Sequence, residues 1–140
     1  MGSLILDASV LIGLLDGADA HHRRAVDDVE AADEASTELV VPASAYSEAM
    51  VAFARVDRVA DAREAIAAMG IRVVPLDART AERAAELRAR HGRLRLPDAI
   101  VLATAHELGG SLLSYDERLA RYAGVGDGGQ PPAPAPRPER

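Results

Sequence analysis

Two patterns of apolar residues alternate along the chain. Short apolar runs typical of buried β-strands occur in SLILD, ELVVP, IRVVPL and GSLLSYD. Longer segments with apolar residues at helical spacing predict helices at about 8–15, 19–34, 43–55, 57–69, 78–91, 97–108 and 116–123. Strands that alternate with helices favour an α/β fold, in which a parallel sheet is covered by helices on both faces.

The composition is that of one globular domain followed by a short tail. The 140 residues are 49% hydrophobic, which is enough to bury a single core, and we assign residues 1–124 to this domain. From residue 125 the sequence is rich in glycine and proline, which predicts a disordered tail over 125–140. Because cysteine is absent, disulfides, zinc–thiolate sites and thiol catalysis are excluded.

Neither membrane insertion nor export is indicated. No apolar stretch approaches the roughly 20 residues of a membrane helix, and the start MGSLILD lacks the basic and long apolar regions of a signal peptide. We therefore expect a cytoplasmic protein. The net charge of −6 argues against a general nucleic-acid coat, and all 16 basic residues are arginine.

Four acidic residues stand at unusual positions. Asp7 lies in the apolar run LILDASVLIGLL, where the first strand is expected to end. Asp98 lies in the first turn of an apolar helix, and Asp116 follows the fourth strand. Glu48 lies within the third predicted helix among small apolar residues, which predicts that it faces inward. Because equivalent strand ends lie along one edge of a parallel sheet, we expect these carboxylates to meet there.

Each acid also has a purely structural interpretation. Asp7 and Asp116 fit helix N-caps, and Asp98 complements the positive end of its helix. Ser114 with Glu117 fits a capping box. Four converging carboxylates, however, would repel one another unless a cation neutralised them. Oxygen ligands suit a hard cation, so the predicted cofactor is Mg²⁺, with Mn²⁺ as the alternative.

The four acids lie in the motifs LILDASVLIGLL, ELVVPASAYSEAMVAF, RLRLPDAIVLATA and SLLSYDERLA. In this order and at these intervals, the motifs resemble those of PIN-domain nucleases, in particular the VapC toxins of bacterial toxin–antitoxin pairs. The resemblance runs from about residue 4 to residue 123 and implies a three-layer α/β/α fold with a parallel sheet of four to five strands. The segment after Tyr122 departs from the family because it does not read as a last short strand.

The resemblance implies a metal-dependent endoribonuclease. The family's metal-binding quartet and the two hydroxyl residues that support it correspond to Asp7, Glu48, Asp98, Asp116, Ser9 and Ser114. Asp7 and Asp98 are the first choices for direct metal contact. Divalent ions on such carboxylates lower the pKa of a bound water and stabilise charge on the phosphate, so no histidine base is required. The implied products carry a 5′-phosphate and a 3′-hydroxyl.

An arginine-rich stretch leads directly to the third acidic motif. Residues 79–95 contain six arginines and two glutamates. Arg93 and Arg95, which are nearest to the acids in sequence, are predicted to contact RNA phosphates. The alternative is an exposed amphipathic helix with internal ion pairs through Glu82 and Glu86.

The resemblance also implies partners. A cognate VapB-like antitoxin would place an arginine or a similar group in the acidic crevice. A homodimer is also implied, and the alanine-rich helices at 43–69 offer it a face of small residues.

Two other function classes stay open. An aspartate-based phosphatase also places aspartates at strand ends, but its usual site contains a lysine and this chain has none. A catalytically silent PIN-like module that binds RNA or protein is expected to lack one of the acids, and all four are present.

Overall fold

Four short strands form one parallel sheet in the computed structural model, which describes residues 2–123. They are β1 (Ser3–Leu6), β2 (Glu38–Pro42), β3 (Arg72–Val74) and β4 (Ser111–Leu113), in the spatial order β3–β2–β1–β4. Leu4 of β1 pairs with Leu39 of β2 on one side and with Ser111 of β4 on the other. The predicted parallel α/β sheet is confirmed, with four strands within the described residues.

Of the seven helices in the described part, six connect the strands and the last follows β4. They are α1 (Ala8–Leu15), α2 (His22–Glu34), α3 (Ala43–Arg55), α4 (Val59–Ala68), α5 (Ala78–Arg90), α6 (Leu96–Leu108) and α7 (Glu117–Ala120). Each corresponds to a helix predicted from apolar spacing. Within residues 2–123, no helix has the length and apolar character that a bilayer crossing requires. The tail predicted at 125–140 lies outside the described residues.

Both faces of the sheet are covered. Successive residues of a strand point to opposite faces of its sheet. Ile5 and Leu6 of β1 are both fully buried, and so are Val40 and Val41 of β2. Both central strands are therefore packed on each face, which gives the three-layer α/β/α arrangement.

The strand order reverses at β1, and we call the region outside the carboxyl ends of β1 and β4 at this reversal the crevice. From β1 the chain crosses to β2 and then to β3 on one side, whereas β4 joins β1 on the other side. In open parallel sheets, ligands bind outside the carboxyl ends of the strands at such a reversal. Asp7 directly follows β1 and Ser114 directly follows β4, so the fold places both residues at this point.

Asp98 reaches the same region on a helix. No strand leads directly into it, because α5 is followed by a short turn and then by α6. Asp98 lies in the first turn of α6, as its sequence pattern predicts. The helix packs against β1 and α5, and its residues Ala99 and Ala103 are fully buried. This packing fixes the start of α6, and therefore Asp98, relative to the central strand.

Candidate active site

Asp7 is a buried carboxylate with three hydrogen-bond donors. Its Oδ1 caps α1 by accepting a hydrogen bond from the Val10 amide at 3.2 Å, and it also accepts one from the Ser9 hydroxyl at 2.5 Å. Its Oδ2 accepts a hydrogen bond from the Ser114 hydroxyl. Asp7 is only 5% exposed, and these hydrogen bonds offset the cost of burying its charge. Asp7 therefore caps a helix and lies in the crevice at the same time.

The hydroxyls of Ser9 and Ser114 connect Asp7, which directly follows β1, to the turn after β4. Ser9 Oγ donates to Asp7 and accepts a hydrogen bond from the Tyr115 amide at 3.0 Å. Ser114 Oγ donates to Asp7 and accepts a hydrogen bond from the Asp116 amide at 3.1 Å. Both serines therefore orient the Asp7 carboxylate while they hold the turn between β4 and α7.

Asp116 lies at the start of α7 and caps it. Its Oδ1 accepts a hydrogen bond from the Arg118 amide at 2.9 Å, and its side chain is 34% exposed. The predicted capping box of Ser114 and Glu117 is wrong, because Asp116 is the N-cap residue and the Ser114 hydroxyl is bonded to Asp7.

Arg95 lies between the other two acids. Its Nε is 3.4 Å from Asp98 Oδ2, and its Nη2 is 3.7 Å from Glu48 Oε1. The side chain of Asp98 is 21% exposed, whereas that of Glu48 is 50% exposed. The prediction that Glu48 faces inward is therefore wrong. The helix α3 buries Ala45 and Ala49 instead, and the longer Glu48 side chain extends to Arg95.

The carboxylates of the crevice act on one another electrostatically. Burial is the largest cause of a raised pKa at Asp98, and the Arg95 guanidinium opposes it. The charges of Asp116 and Asp7 raise the same pKa further. Because the net direction is upward, Arg95 only partly compensates the burial and the neighbouring negative charges.

The donor set suits a hard divalent cation. Its atoms are carboxylate and hydroxyl oxygens, which Mg²⁺ and Mn²⁺ prefer. Among residues 2–123, no three or more acidic, histidine or cysteine side chains are grouped closely enough to hold a metal ion by themselves. A complete cage is not required, because Mg²⁺ keeps several waters and usually binds one or two carboxylates together with substrate phosphate.

Asp98→Asn is expected to raise the thermal stability of the metal-free protein at neutral pH. The folded-state pKa of Asp98 lies above its ordinary value of 3.8, so the folded state holds this proton more strongly than the unfolded state. Ionisation of Asp98 therefore costs stability as pH rises through this range, and the asparagine removes that cost. Solvent screening of the partly exposed side chain keeps the effect small.

Thermal unfolding in EDTA measures this effect. At pH 7 the Tm of Asp98→Asn should exceed that of the wild type, and the difference should shrink as pH falls below 3.8, where the carboxyl is protonated in both states. Asp33→Asn, which removes an exposed charge on α2, is the matched control. A Tm for Asp98→Asn equal to or below that of Asp33→Asn at pH 7 would contradict the prediction.

The arginines at the start of α5 join this helix to α6. Arg79 Nε is 2.8 Å from Glu107 Oε2, and Arg83 Nε is 3.6 Å from Glu107 Oε1. The predicted internal pairs through Glu82 and Glu86 are therefore wrong for the part of the chain that the structure describes. These arginines contribute to packing between helices.

The two arginines predicted to contact RNA lie in different surroundings. Arg95 contacts acids of the crevice, as described above. Arg93 is exposed in the turn between α5 and α6, and no ion pair involves it within residues 2–123. The structure thus brings Arg95 to the acids and leaves Arg93 at the surface nearby.

A polar and aromatic cluster beside the crevice was not predicted from the sequence. The Tyr115 hydroxyl donates to Asp28 Oδ2 at 2.7 Å. The Arg24 guanidinium lies 4.6 Å from the centre of the Tyr115 ring, and the His21 ring centre lies 4.9 Å from it. Burial, followed by the bond to Asp28, raises the pKa of Tyr115. The cluster fastens the turn at 114–116 to α2, and no local pattern links residues so distant in sequence.

Both the sequence and the fold are similar to those of known proteins. The family model of the PIN domain matches residues 4–125, a range that includes all four acids. The fold is similar to that of a chain in a toxin–antitoxin complex from Klebsiella pneumoniae, with 26% identity, a TM-score of 0.71, and coverage of 88% of this chain and 92% of that chain. It is also similar to that of Mycobacterium tuberculosis VapC20, a sarcin–ricin loop cleaving toxin, with 20% identity, a TM-score of 0.65, and coverage of 84% and 93%. No curated protein sequence matches significantly.

Proposed function

Because this chain belongs to the PIN domain family, we propose that it is a metal-dependent endoribonuclease and the toxin of a VapBC-type toxin–antitoxin pair. The observation that carries the proposal is the crevice at the strand reversal, where the Ser114 hydroxyl is hydrogen-bonded both to the Asp7 carboxylate and to the Asp116 amide. The carboxylates of the crevice would repel an RNA phosphate unless a cation were bound. The likeness to a chain of a toxin–antitoxin complex supports the toxin assignment.

The metal in this proposal is Mg²⁺, with Mn²⁺ as a substitute. Asp7 and Asp98 would hold it directly, and Glu48 and Asp116 would do so directly or through water. When bound, the metal lowers the pKa of a water molecule and stabilises charge on the phosphate and the leaving oxygen. No side-chain base is then needed beside the scissile bond.

The other side chains orient the acids and the substrate. Ser9 and Ser114 donate to the two oxygens of Asp7 and so fix the direction of its carboxylate. Arg93 and Arg95 would contact the RNA phosphates. Hydrolysis of the bond between phosphorus and the 3′ oxygen leaves a 5′-phosphate and a 3′-hydroxyl.

The proposed partners are a VapB-like antitoxin and a second copy of the chain. The antitoxin would block the crevice with an arginine or a similar group, and a guanidinium of this chain, that of Arg95, lies 3.4 Å from Asp98. The homodimer would use the alanine-rich surface of α3 and α4, near which Val51 and Val56 are 46% and 64% exposed. A solution mass of monomer only, measured without antitoxin, would contradict the dimer. The proposed site of action is the cytoplasm.

Cleavage of a mixed RNA pool by the purified full chain tests the proposed activity. We expect cleavage in Mg²⁺ or Mn²⁺, none in EDTA, and recovery when excess metal is restored. Glu48→Gln is expected to lower the rate at least about tenfold, because it weakens the metal site. Glu34→Gln removes an exposed acid at the end of α2 and should leave the rate unchanged.

Three results would contradict parts of the proposal. Cleavage that persists in EDTA would exclude the metal mechanism. A folded protein that binds Mn²⁺ but cleaves no RNA would favour the catalytically silent binding module. Product ends other than a 5′-phosphate and a 3′-hydroxyl would exclude the proposed position of bond cleavage.

A further inference from the structure

Arg95 contacts two of the four acids at once. Its guanidinium carries one positive charge to within 3.4 Å of an Asp98 oxygen and 3.7 Å of a Glu48 oxygen. The two acids belong to different helices, so their juxtaposition does not follow from a single helical repeat. Arg95 thus contacts two of the four acids to which the proposed function assigns a metal ion.

The contacts of Arg95 with Asp98 and Glu48 are weak enough for another cation to replace the guanidinium. Strong charge-assisted hydrogen bonds between nitrogen and oxygen are about 2.7–2.9 Å long, and both distances at Arg95 are longer. The Arg95 side chain is also 58% exposed, and ion pairs at exposed positions are weak. Arg95 is the N-cap residue of α6, but its side chain makes no capping bond. The helix start therefore does not depend on the guanidinium.

We propose that Arg95 is an internal cation that occupies the Glu48–Asp98 pair in the metal-free protein, moves away when a divalent ion binds, and then contacts an RNA phosphate. This inference rests on the proposed function, because it takes the four acids as a metal site. It goes beyond an RNA-binding role, since it makes Arg95 a competitor of the metal.

Electrostatics gives the reason for the exchange. A guanidinium and a divalent ion repel each other, so they do not share one pair of carboxylates at low cost. Once displaced, the planar guanidinium presents several donors that match the oxygens of a phosphate. RNA then neutralises the arginine that the metal displaced, so each ligand should strengthen the binding of the other.

The exchange predicts opposite effects of one substitution. In Arg95→Ala the competing charge is gone, so Mn²⁺ affinity should rise about three- to tenfold. The cleavage rate at saturating Mn²⁺ should fall about tenfold, because a phosphate contact is lost. A purely structural ion pair predicts no gain in metal affinity.

Mn²⁺ titration of the full chain without RNA, followed by electron paramagnetic resonance of free Mn²⁺, is the deciding measurement. Arg93→Ala is the matched control, because it removes the same charge two positions away from Arg95. Within the described part of the chain, the Arg93 side chain contacts none of the four acids. Its Mn²⁺ affinity should equal that of the wild type. Arg95→Lys keeps the charge without the planar group, so its affinity should lie between those of the wild type and Arg95→Ala.

The outcomes separate this inference from the function on which it rests. Wild-type protein that is folded but binds no Mn²⁺ would overturn the proposed metal site and the inference with it. Mn²⁺ binding by the wild type with equal or weaker binding by Arg95→Ala would overturn the inference alone. Equal gains in Arg93→Ala and Arg95→Ala would also overturn it, because they would reflect net charge rather than occupancy of the acid pair.

Discussion

Asp7→Asn is expected to lower metal-dependent RNA cleavage at least about 100-fold, which corresponds to about 2.7 kcal/mol of transition-state stabilisation. The substitution keeps the size and shape of the side chain and removes its negative charge. In the proposed site Asp7 is a direct metal ligand, and an uncharged amide binds Mg²⁺ or Mn²⁺ more weakly than a carboxylate. Cleavage of the mixed RNA pool at a fixed Mn²⁺ concentration measures the loss.

The fold of Asp7→Asn should remain intact. Asparagine is as good an N-cap as aspartate, so its oxygen keeps the bond from the Val10 amide. The hydroxyl of Ser114 can turn to accept a bond from the new amide group. The far-ultraviolet circular dichroism spectrum should therefore match that of the wild type. With the fold intact, a loss of cleavage can be assigned to the proposed catalytic role of Asp7 rather than to its capping role.

A second capping aspartate provides the matched control. Asp77 caps α5 by accepting a hydrogen bond from the Thr80 amide at 2.8 Å, in the same way that Asp7 caps α1. It follows β3, which is separated from β1 by β2. Asp77→Asn should retain full cleavage. If Asp7→Asn retains more than about a tenth of the wild-type rate, Asp7 is a capping residue and the proposed metal site is wrong.

The fold was predictable because its sequence signals are local. The strands are short apolar runs, and the helices between them carry apolar residues at their own spacing, so neither signal depends on distant residues. Asp7 was also predictable as a special position, because a charge within an apolar run requires partners. The structure supplies three, from Ser9, Val10 and Ser114.

The predictions from the sequence that were wrong concern side chains whose partners are distant in the chain. Small residues around Glu48 permit close packing on several sides, and they do not determine which side of α3 is buried. The Ser114 hydroxyl fits a local cap equally well, but it bonds to Asp7, 107 positions away. The bond between Tyr115 and Asp28 likewise joins residues 87 positions apart. Such contacts follow from the tertiary fold and leave no periodic pattern in the sequence.

Gly110→Ala is expected to destabilise the protein by about 2–3 kcal/mol, as overpacking of a tight core does. Gly110 directly precedes β4, and a Cβ atom at this position would lie 2.6 Å from the Ser3 carbonyl oxygen and would also overlap Ile5 Cδ1. Ile5 is fully buried in β1, so its side chain moves only by displacing its core neighbours, and the Ser3 oxygen belongs to the backbone of β1. Relief therefore requires β4 to shift away from β1, and this shift would also move Ser114 relative to Asp7.

Urea unfolding of Gly110→Ala should show a lower midpoint with an unchanged slope, because the surface exposed on unfolding stays the same. Gly92→Ala is the control, since no atom lies within 4 Å of a Cβ atom there, and its midpoint should be close to that of the wild type. An unchanged midpoint for Gly110→Ala would mean that β1 and β4 can separate at little cost. That result would contradict the prediction, and it would mean that Ser114 can move relative to Asp7 without a loss of stability.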